Sequence, residues 1–452
     1  VQQDTWITNR DSRNDMTVNG PVKIVVLGGG YAGVLAALRL AGKTRRANVH
    51  ITLINGSEHF VERIRLHQLA TDQPLRSRPF ARLLAGTGIE FIHGWATAID
   101  PARRAVTVQQ AHNHARHDTE SVCHVPYDHL IYAVGSTVDR HSVPGVAEHA
   151  HALGGEAAAR ALQQATAALA DGARILVVGG GWTGIEAATE LAETHPHLHV
   201  TLATRGALGE NLSRRGAAHL RTVCATLGIR VLEHTSITRI EPQRALCADG
   251  SADECSVPFD LCVWAGAFTV PDLARRSGLA TDAGGRVQVD AGLRSLSHPA
   301  VYAIGDAAAT PLRMACATAM PMGAYIADQL AAQLNDAPTV HAESTDKASE
   351  PFRYAHALQC ISLGRRQALV QFVRADDFPK ERILTGWLAV GVKELICRAT
   401  IWMLQLEKRF PGLYMWPQAD LAPAARPEIE AVETTQTAMN TQDLAYEQRS
   451  TD

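Results

Sequence analysis

The stretch "VLGGGYAG" (Val26 to Gly33) returns later in the chain as "VVGGGWTG" (Val177 to Gly184). Each copy comes after an apolar run and opens a helical pattern. Gly28, Gly30 and Gly33, then Gly179, Gly181 and Gly184, satisfy GxGxxG. In such a turn the first glycine permits the bend and the second lets backbone approach a pyrophosphate. The third lets helix and strand pack, and the phosphates rest on the helix N-terminus. A single GxGxxG is weak evidence, whereas two copies in strand-turn-helix-strand context predict two dinucleotide sites.

Periodicity fills in both units. Lys23 to Leu27 reads as a buried parallel strand, Ala32 to Ala41 as a helix and Val49 to Ile54 as the next strand. In the second unit the strands are Arg174 to Val178 and His199 to Ala203. The echo continues in "YDHLIYAVGS" (Tyr127 to Ser136) and "FDLCVWAGAF" (Phe259 to Phe268), each an aromatic-Asp pair, an apolar strand and a small-residue turn. The plan is a duplicated α/β domain.

A chain of 452 residues has room for two or three such cores. The net charge of −3 and a pI near 6.7 supply no electrostatic footprint for nucleic acid. Eight cysteines lie scattered at 123, 224, 247, 255, 262, 316, 360 and 397 without a CxxC, which reads as a reduced, cytoplasmic chain. No stretch is apolar enough to span a bilayer, and residues 1–20 read as a disordered leader.

The residues just beyond each unit's second strand separate the copies. An acidic residue at that strand end normally takes the adenosine ribose hydroxyls. The first copy has Asn55 there, an uncharged hydrogen-bonding group, with Glu58 as a substitute nearby. The second has Thr204 and then Arg205. A carboxylate repels a 2′-phosphate, whereas a hydroxyl with a guanidinium beside it suits one, which points to NADPH over NADH. The alternative is that Arg205 is an ordinary solvated loop residue.

With "YDHLIYAVG", "VPGVAEHA", "FDLCVWAGAF" and "VYAIGDAAA" added to the two glycine motifs, the chain resembles the two-dinucleotide flavoprotein oxidoreductases. Its nearest branches are those of the type II NADH dehydrogenase-like and apoptosis-inducing-factor-like proteins. The resemblance covers about Val22 to Leu330 and implies two Rossmann-like domains, the second inserted in the first; beyond a polar stretch the remaining chain reads as a C-terminal α/β piece and a polar, Pro/Ala-rich tail. The FAD-binding domain would comprise residues 21–150 and 290–335, the NAD(P)H-binding domain 151–289, the C-terminal piece 350–417, and a disordered tail 418–452. It implies FAD against Gly28, Gly30, Tyr31, Ala32, Gly33, Asn55, Arg63, Ala133, Gly135, Gly305 and Asp306, with Asp306 on the ribityl chain. It implies NAD(P)H against Gly179, Gly181, Trp182, Thr183, Gly184, Glu186, Thr204, Arg205 and Gly266, with Glu186 near the nicotinamide. An ordinary surface carboxylate is the other reading of Glu186. The segment "MACATAMPMGAYIADQL" would aim a helix N-terminus at the flavin pyrimidine.

Two departures bear on function. The disulfide reductases of this architecture carry paired cysteines where this chain has "EHFVERIRLHQLA", which excludes their usual route. The quinone-reducing members tend to have glutamines where this chain has "TAMPMG" (Thr318 to Gly323), so a quinone acceptor lacks its best marker. In "HFVERIRLHQ", residues Arg63, Arg65 and His67 alternate by two and share a face if the segment is extended. Arg65 or His67 would then touch flavin or acceptor, salt-bridged surface residues being the alternative. The histidine groups "HNHARH" and "HPHLH" lack metal-ligand spacing and read as solvated turns, so no metal is expected.

The C-terminal run "WLAVGVKELICRATIWMLQLEKRFPGLYMWP" places Leu395, Ile396, Ala399, Met403 and Leu406 at helical spacing among basic and aromatic residues. Peripheral contact at the inner membrane face and packing on the FAD domain or a second subunit are both open. The expected chemistry is passage of hydride from NAD(P)H to FAD and of electrons onward. The acceptor would be a quinone, another small molecule or an electron-carrier protein such as a ferredoxin. A nucleotide-sensing flavoprotein is the non-catalytic alternative.

Overall fold

The computed structural model describes residues 5–6, 20–45, 47–111, 121–248, 255–336 and 350–420. Thr5–Trp6 of the expected leader forms a short strand parallel to Val122–Pro126, whereas residues 7–19, the "HNHARH" group and most of the tail lie outside the described residues. Two sheets carry the duplicated plan. In the first, β1 (Val22–Leu27), β2 (Val49–Asn55), β3 (Glu90–Asp100), β4 (His129–Tyr132) and, later in the chain, Val301–Ala303 run parallel in the spatial order β3-β2-β1-β4 and then Val301–Ala303. In the second, β5 (Arg174–Val178), β6 (His199–Ala203) and β7 (Leu261–Trp264) run parallel in the order β6-β5-β7. Both copies therefore flank their first strand identically, and β8 (Val301–Ala303) completes the first sheet after the second is finished.

Near-continuous burial explains the strands: Ile24 to Leu27 and Ile175 to Val178 are covered on both faces, as parallel sheets require. The helices after the turns are α1 (Tyr31–Lys43) and α3 (Trp182–Thr194), each starting one residue past its second motif glycine. Helix α4 (Cys316–Asp336) crosses α1 where a methyl on Gly323 would lie 2.3 Å from the Ala32 carbonyl oxygen. That approach needs glycine.

The C-terminal piece is a three-stranded antiparallel sheet, β9 (Leu358–Ser362), β10 (Ala368–Val373) and β11 (Pro379–Thr385), leading into α5 (Gly386–Arg409). Helix α5 buries Ala389, Cys397, Ile401 and Leu404 and packs on α1. Arg39 of α1 bonds Asp328 of α4 at 2.6 Å and lies 3.3 Å from the fully buried Glu407.

Two expectations change. Arg63–Arg65 forms a 3-10 turn and α2 (Leu66–Leu69) is one helical turn, so the segment is not extended. Helical spacing therefore separates Arg63, Arg65 and His67 onto different faces. The cysteines are not all free: Cys247 and Cys255, directly opposed on the antiparallel strands Arg244–Ala248 and Cys255–Pro258, form a disulfide. Their spacing carries no CxxC signal, because a hairpin and not a short loop brings them together.

Candidate functional site

The two glycine turns are alike in their constraints. Gly28 and Gly179 have φ of +110° and +123°, and a methyl on either would lie 2.3 Å from the carbonyl oxygen of Ala133 or Ala265. A methyl on Gly33 or Gly184 would lie 2.0 or 1.9 Å from the carbonyl oxygen of Gly28 or Gly179. The protein itself thus requires the outer glycines. Gly30 and Gly181 differ: a methyl on either meets nothing within 4 Å. Each caps a helix without a side-chain partner, so free backbone N–H groups face open space. The middle glycine is explained by a ligand whose phosphates come against the backbone, and the two cradles fit two dinucleotides.

Around the first cradle, Asp306 accepts from Ser136 Oγ at 2.7 Å, and Arg63 Nη1 donates to the Ser136 carbonyl at 2.5 Å. Burial pulls the Arg63 guanidinium down, with Asp306 opposing. Gly305, at φ +67°, donates its N–H to Met322 Sδ at 3.2 Å. Gly135, at φ +69°, has open space beside it. Tyr31 is buried with its hydroxyl unpartnered, its ring edge-on to Phe60, and burial raises its pKa well above the usual phenol value. These open and orphaned groups fit a flavin dinucleotide lying from α1 to Asp306.

At the strand ends, Asn55 spends its amide on the protein. Its Oδ1 accepts from Gly29 N–H at 2.8 Å and its Nδ2 donates to the Ser57 carbonyl at 2.9 Å. Thr204 is buried, and a methyl on Gly180 would come within 2.1 Å of its Oγ1. Both residues buttress their turns. Arg205 next door is exposed and makes no ion pair among the described residues. The nearby Glu233 is held by Arg221 and the Leu208 N–H. In the second cradle Trp182 and Thr183 stand at the helix start, both half-buried, while Gly266 packs on the Trp264 ring.

The two units meet at Glu186. It is buried, with Oε1 accepting from Lys393 Nζ of α5 at 2.8 Å and from the Ser362 N–H at 3.0 Å. The surface-carboxylate reading is therefore overturned. Burial pushes its carboxyl up, but Lys393 and His67 outweigh it and the net shift is down. Burial pulls Lys393 down, and the Glu186 charge reverses this to a net rise. His67 Nδ1 stands 3.6 Å from Glu186 Oε2, yet burial lowers the imidazole to about 4, so it is neutral at pH 7. The contact is charge to dipole, and His67 Nε2 is buried without a partner. Behind them a cavity of about 30 Å³ is lined by Gln68, Ser362, Arg365, Lys393 and Glu394 among others, room for a water.

Arg65 has a different engagement. Its Nη1 donates to Gln68 Oε1 at 3.0 Å and Glu394 Oε2 at 2.8 Å, and its Nε lies 3.4 Å from Glu62. Of the pair Arg65 and His67, only His67 has a fully buried side-chain atom without a partner among the described residues. Nothing in the sequence singles out Lys393, because its position on α5 ranks it with the polar residues.

The pattern describing pyridine nucleotide-disulphide oxidoreductases matches residues 22–324. An NADH dehydrogenase-like protein of Mycobacterium tuberculosis is 27% identical over 347 residues, 70% of this chain and 82% of the relative. A demethylphylloquinone reductase of Synechocystis is 27% identical over 300 residues, 63% of this chain and 72% of the relative. The ferredoxin–NAD(+) reductase component of the biphenyl dioxygenase system of Paraburkholderia xenovorans is 32% identical over 294 residues, 64% of this chain and 68% of the relative.

Proposed function

Because the chain belongs to the pyridine nucleotide-disulphide oxidoreductase family, we propose that this FAD-dependent NAD(P)H oxidoreductase draws electrons from NADPH and delivers them to a quinone or another small acceptor. The observation that carries the reading is the pair of cradles with an open middle glycine in each. Bound FAD supplies the two-electron carrier chemistry between donor and acceptor. The protein's part is to bind and to orient. The N–H groups at the start of α1 and α3 would hold the two pyrophosphates, and Asp306 would take a ribityl hydroxyl. Arg205 pairs with the 2′-phosphate that distinguishes NADPH. Glu186, held by Lys393, and His67 would stand beside the reacting nicotinamide and flavin.

The reaction is NADPH + H⁺ + quinone → NADP⁺ + hydroquinone, so one proton per turnover enters from solution. The quinone assignment is supported by the exposed apolar side of α5, where Trp387, Leu388, Leu395, Trp402 and Leu406 face out, and Phe410, Leu413 and Met415 extend it. That side suits peripheral attachment at the inner face of the membrane, and no described helix is long and apolar enough to cross one. A homodimer through the same surface is the competing occupant. The similarity to a ferredoxin–NAD(+) reductase component favours a second reading, in which the acceptor is an electron-carrier protein.

Anaerobic mixing of the flavoprotein with NADPH or NADH, and then with a panel of quinones and a ferredoxin, tests both halves. Faster bleaching of the flavin by NADPH and reoxidation by quinone are expected; reoxidation by ferredoxin alone selects the second reading. Replacing Thr204 with Glu and Arg205 with Ala should cut the preference for NADPH by about tenfold, the value of one charged hydrogen bond. A preference that survives removes Arg205 as the selector.

A further inference from the structure

Asn55 leaves a gap in the first site. The residue that should meet the adenosine has both ends of its amide tied to Gly29 and Ser57. Glu58, the nearby carboxylate, is exposed and paired with His93 Nδ1 at 3.3 Å. His93 is the register partner of Asn55 on β3, and Trp95 lies two residues further along the same face of that strand. Trp95 is 67% exposed, whereas Ile92 and Gly94 just before it on the strand are buried. Its indole lies over Gly56, the residue after β2, where a methyl would come within 2.4 Å of Trp95 Cε2. A singly exposed hydrophobic side chain needs no explanation. This one, however, is a ring with one side against backbone and broad exposure to solvent, at the carboxyl end of the parallel strands, where α/β sheets bind their ligands.

We infer that Trp95 is the stacking platform for the adenine of FAD, supplying the hold on the adenosine end that Asn55 does not. The inference rests on FAD occupying the first glycine turn. Stacking needs only the π-face of the base, so it replaces a missing polar contact without any rearrangement of Asn55. Gly56 is small because the indole must lie flat on the backbone to present its other face. Glu58 and His93, paired with each other, belong to the same strand end as the ring.

The test uses the full chain, stripped of flavin and titrated with FAD and with ADP. Trp95→Ala should weaken both ligands by the same factor, roughly 5- to 100-fold, the span of base–aromatic stacking, while Trp95→Phe stays near wild type. Wild-type FAD binding by Trp95→Ala would overturn the inference, as would loss of FAD binding without loss of ADP binding. Gly30→Val tests the underlying assignment separately, because a side chain there meets no protein atom and blocks only the cradle. Full-strength FAD binding by Gly30→Val would place the flavin elsewhere, whatever Trp95 does.

Discussion

At Lys393 a cation that the helical pattern ranks with the polar face of α5 turns inward and meets Glu186 at 2.8 Å. Periodicity reports which face a residue occupies, not whether another unit covers that face, so Lys393 is not legible in the sequence. Glu186 is legible only as an offset from Gly184. Removing one partner of a buried pair leaves an uncompensated charge. Lys393→Met is therefore expected to lower stability by about 3–5 kcal/mol in urea unfolding, and Glu186→Gln added to it should recover part of the loss. A Lys393→Met protein of wild-type stability would mean that the ion pair is open to water.

Elements are more legible than single side chains. The strands Arg174–Val178 and His199–Ala203 fall where hydrophobic runs predict them, since parallel strands buried on both faces leave little room for ambiguity. The segment from Arg63 to Leu69 misleads because alternation over so few residues fits a strand and a tight helical turn alike. Helix α5 has two unlike sides. One packs on α1 through Ile401 and Leu404, and the other exposes Trp387, Leu395 and Trp402. Vesicles containing anionic lipid should sediment the protein, and Trp387→Ser with Trp402→Ser should release it without changing flavin content. Retention of membrane binding by that variant would assign attachment to another surface, and concentration-dependent dimers lost in the same variant would assign α5 to self-association.

Across the whole molecule, the two parallel sheets and the C-terminal piece are tied by ion pairs with at least one buried partner each: Lys393 to Glu186, Arg65 to Glu394, and Arg365 to Glu190. The duplicated plan foretells the two sheets, whereas these ties depend on which surfaces meet and leave no local pattern. The disulfide is of the same kind, its cysteines opposed only once the strands pair. One consequence of burying polar groups at these junctions is a dependence of stability on pH. Folded His67 titrates at about 4, whereas the unfolded side chain titrates near its ordinary value of 6.5. Between those values the unfolded chain binds a proton that the folded one refuses. This contribution is complete above about pH 6.5 and is lost as pH falls toward 4, by up to about 3 kcal/mol. Urea midpoints for wild type and His67→Gln should diverge less at pH 4.5 than at pH 7. A constant gap would show that His67 is protonated freely in the folded protein.

Helix α5 also fixes a length. Its outward side exposes apolar rings, and its inward side holds Lys393 against Glu186. A helix with its side chains is only about 10–12 Å thick. An acceptor stored in a bilayer against those rings would be about one helix diameter from the place where it is reduced. Its tail could stay in lipid while its head enters, so turnover would be set by sideways motion in two dimensions more than by diffusion through water.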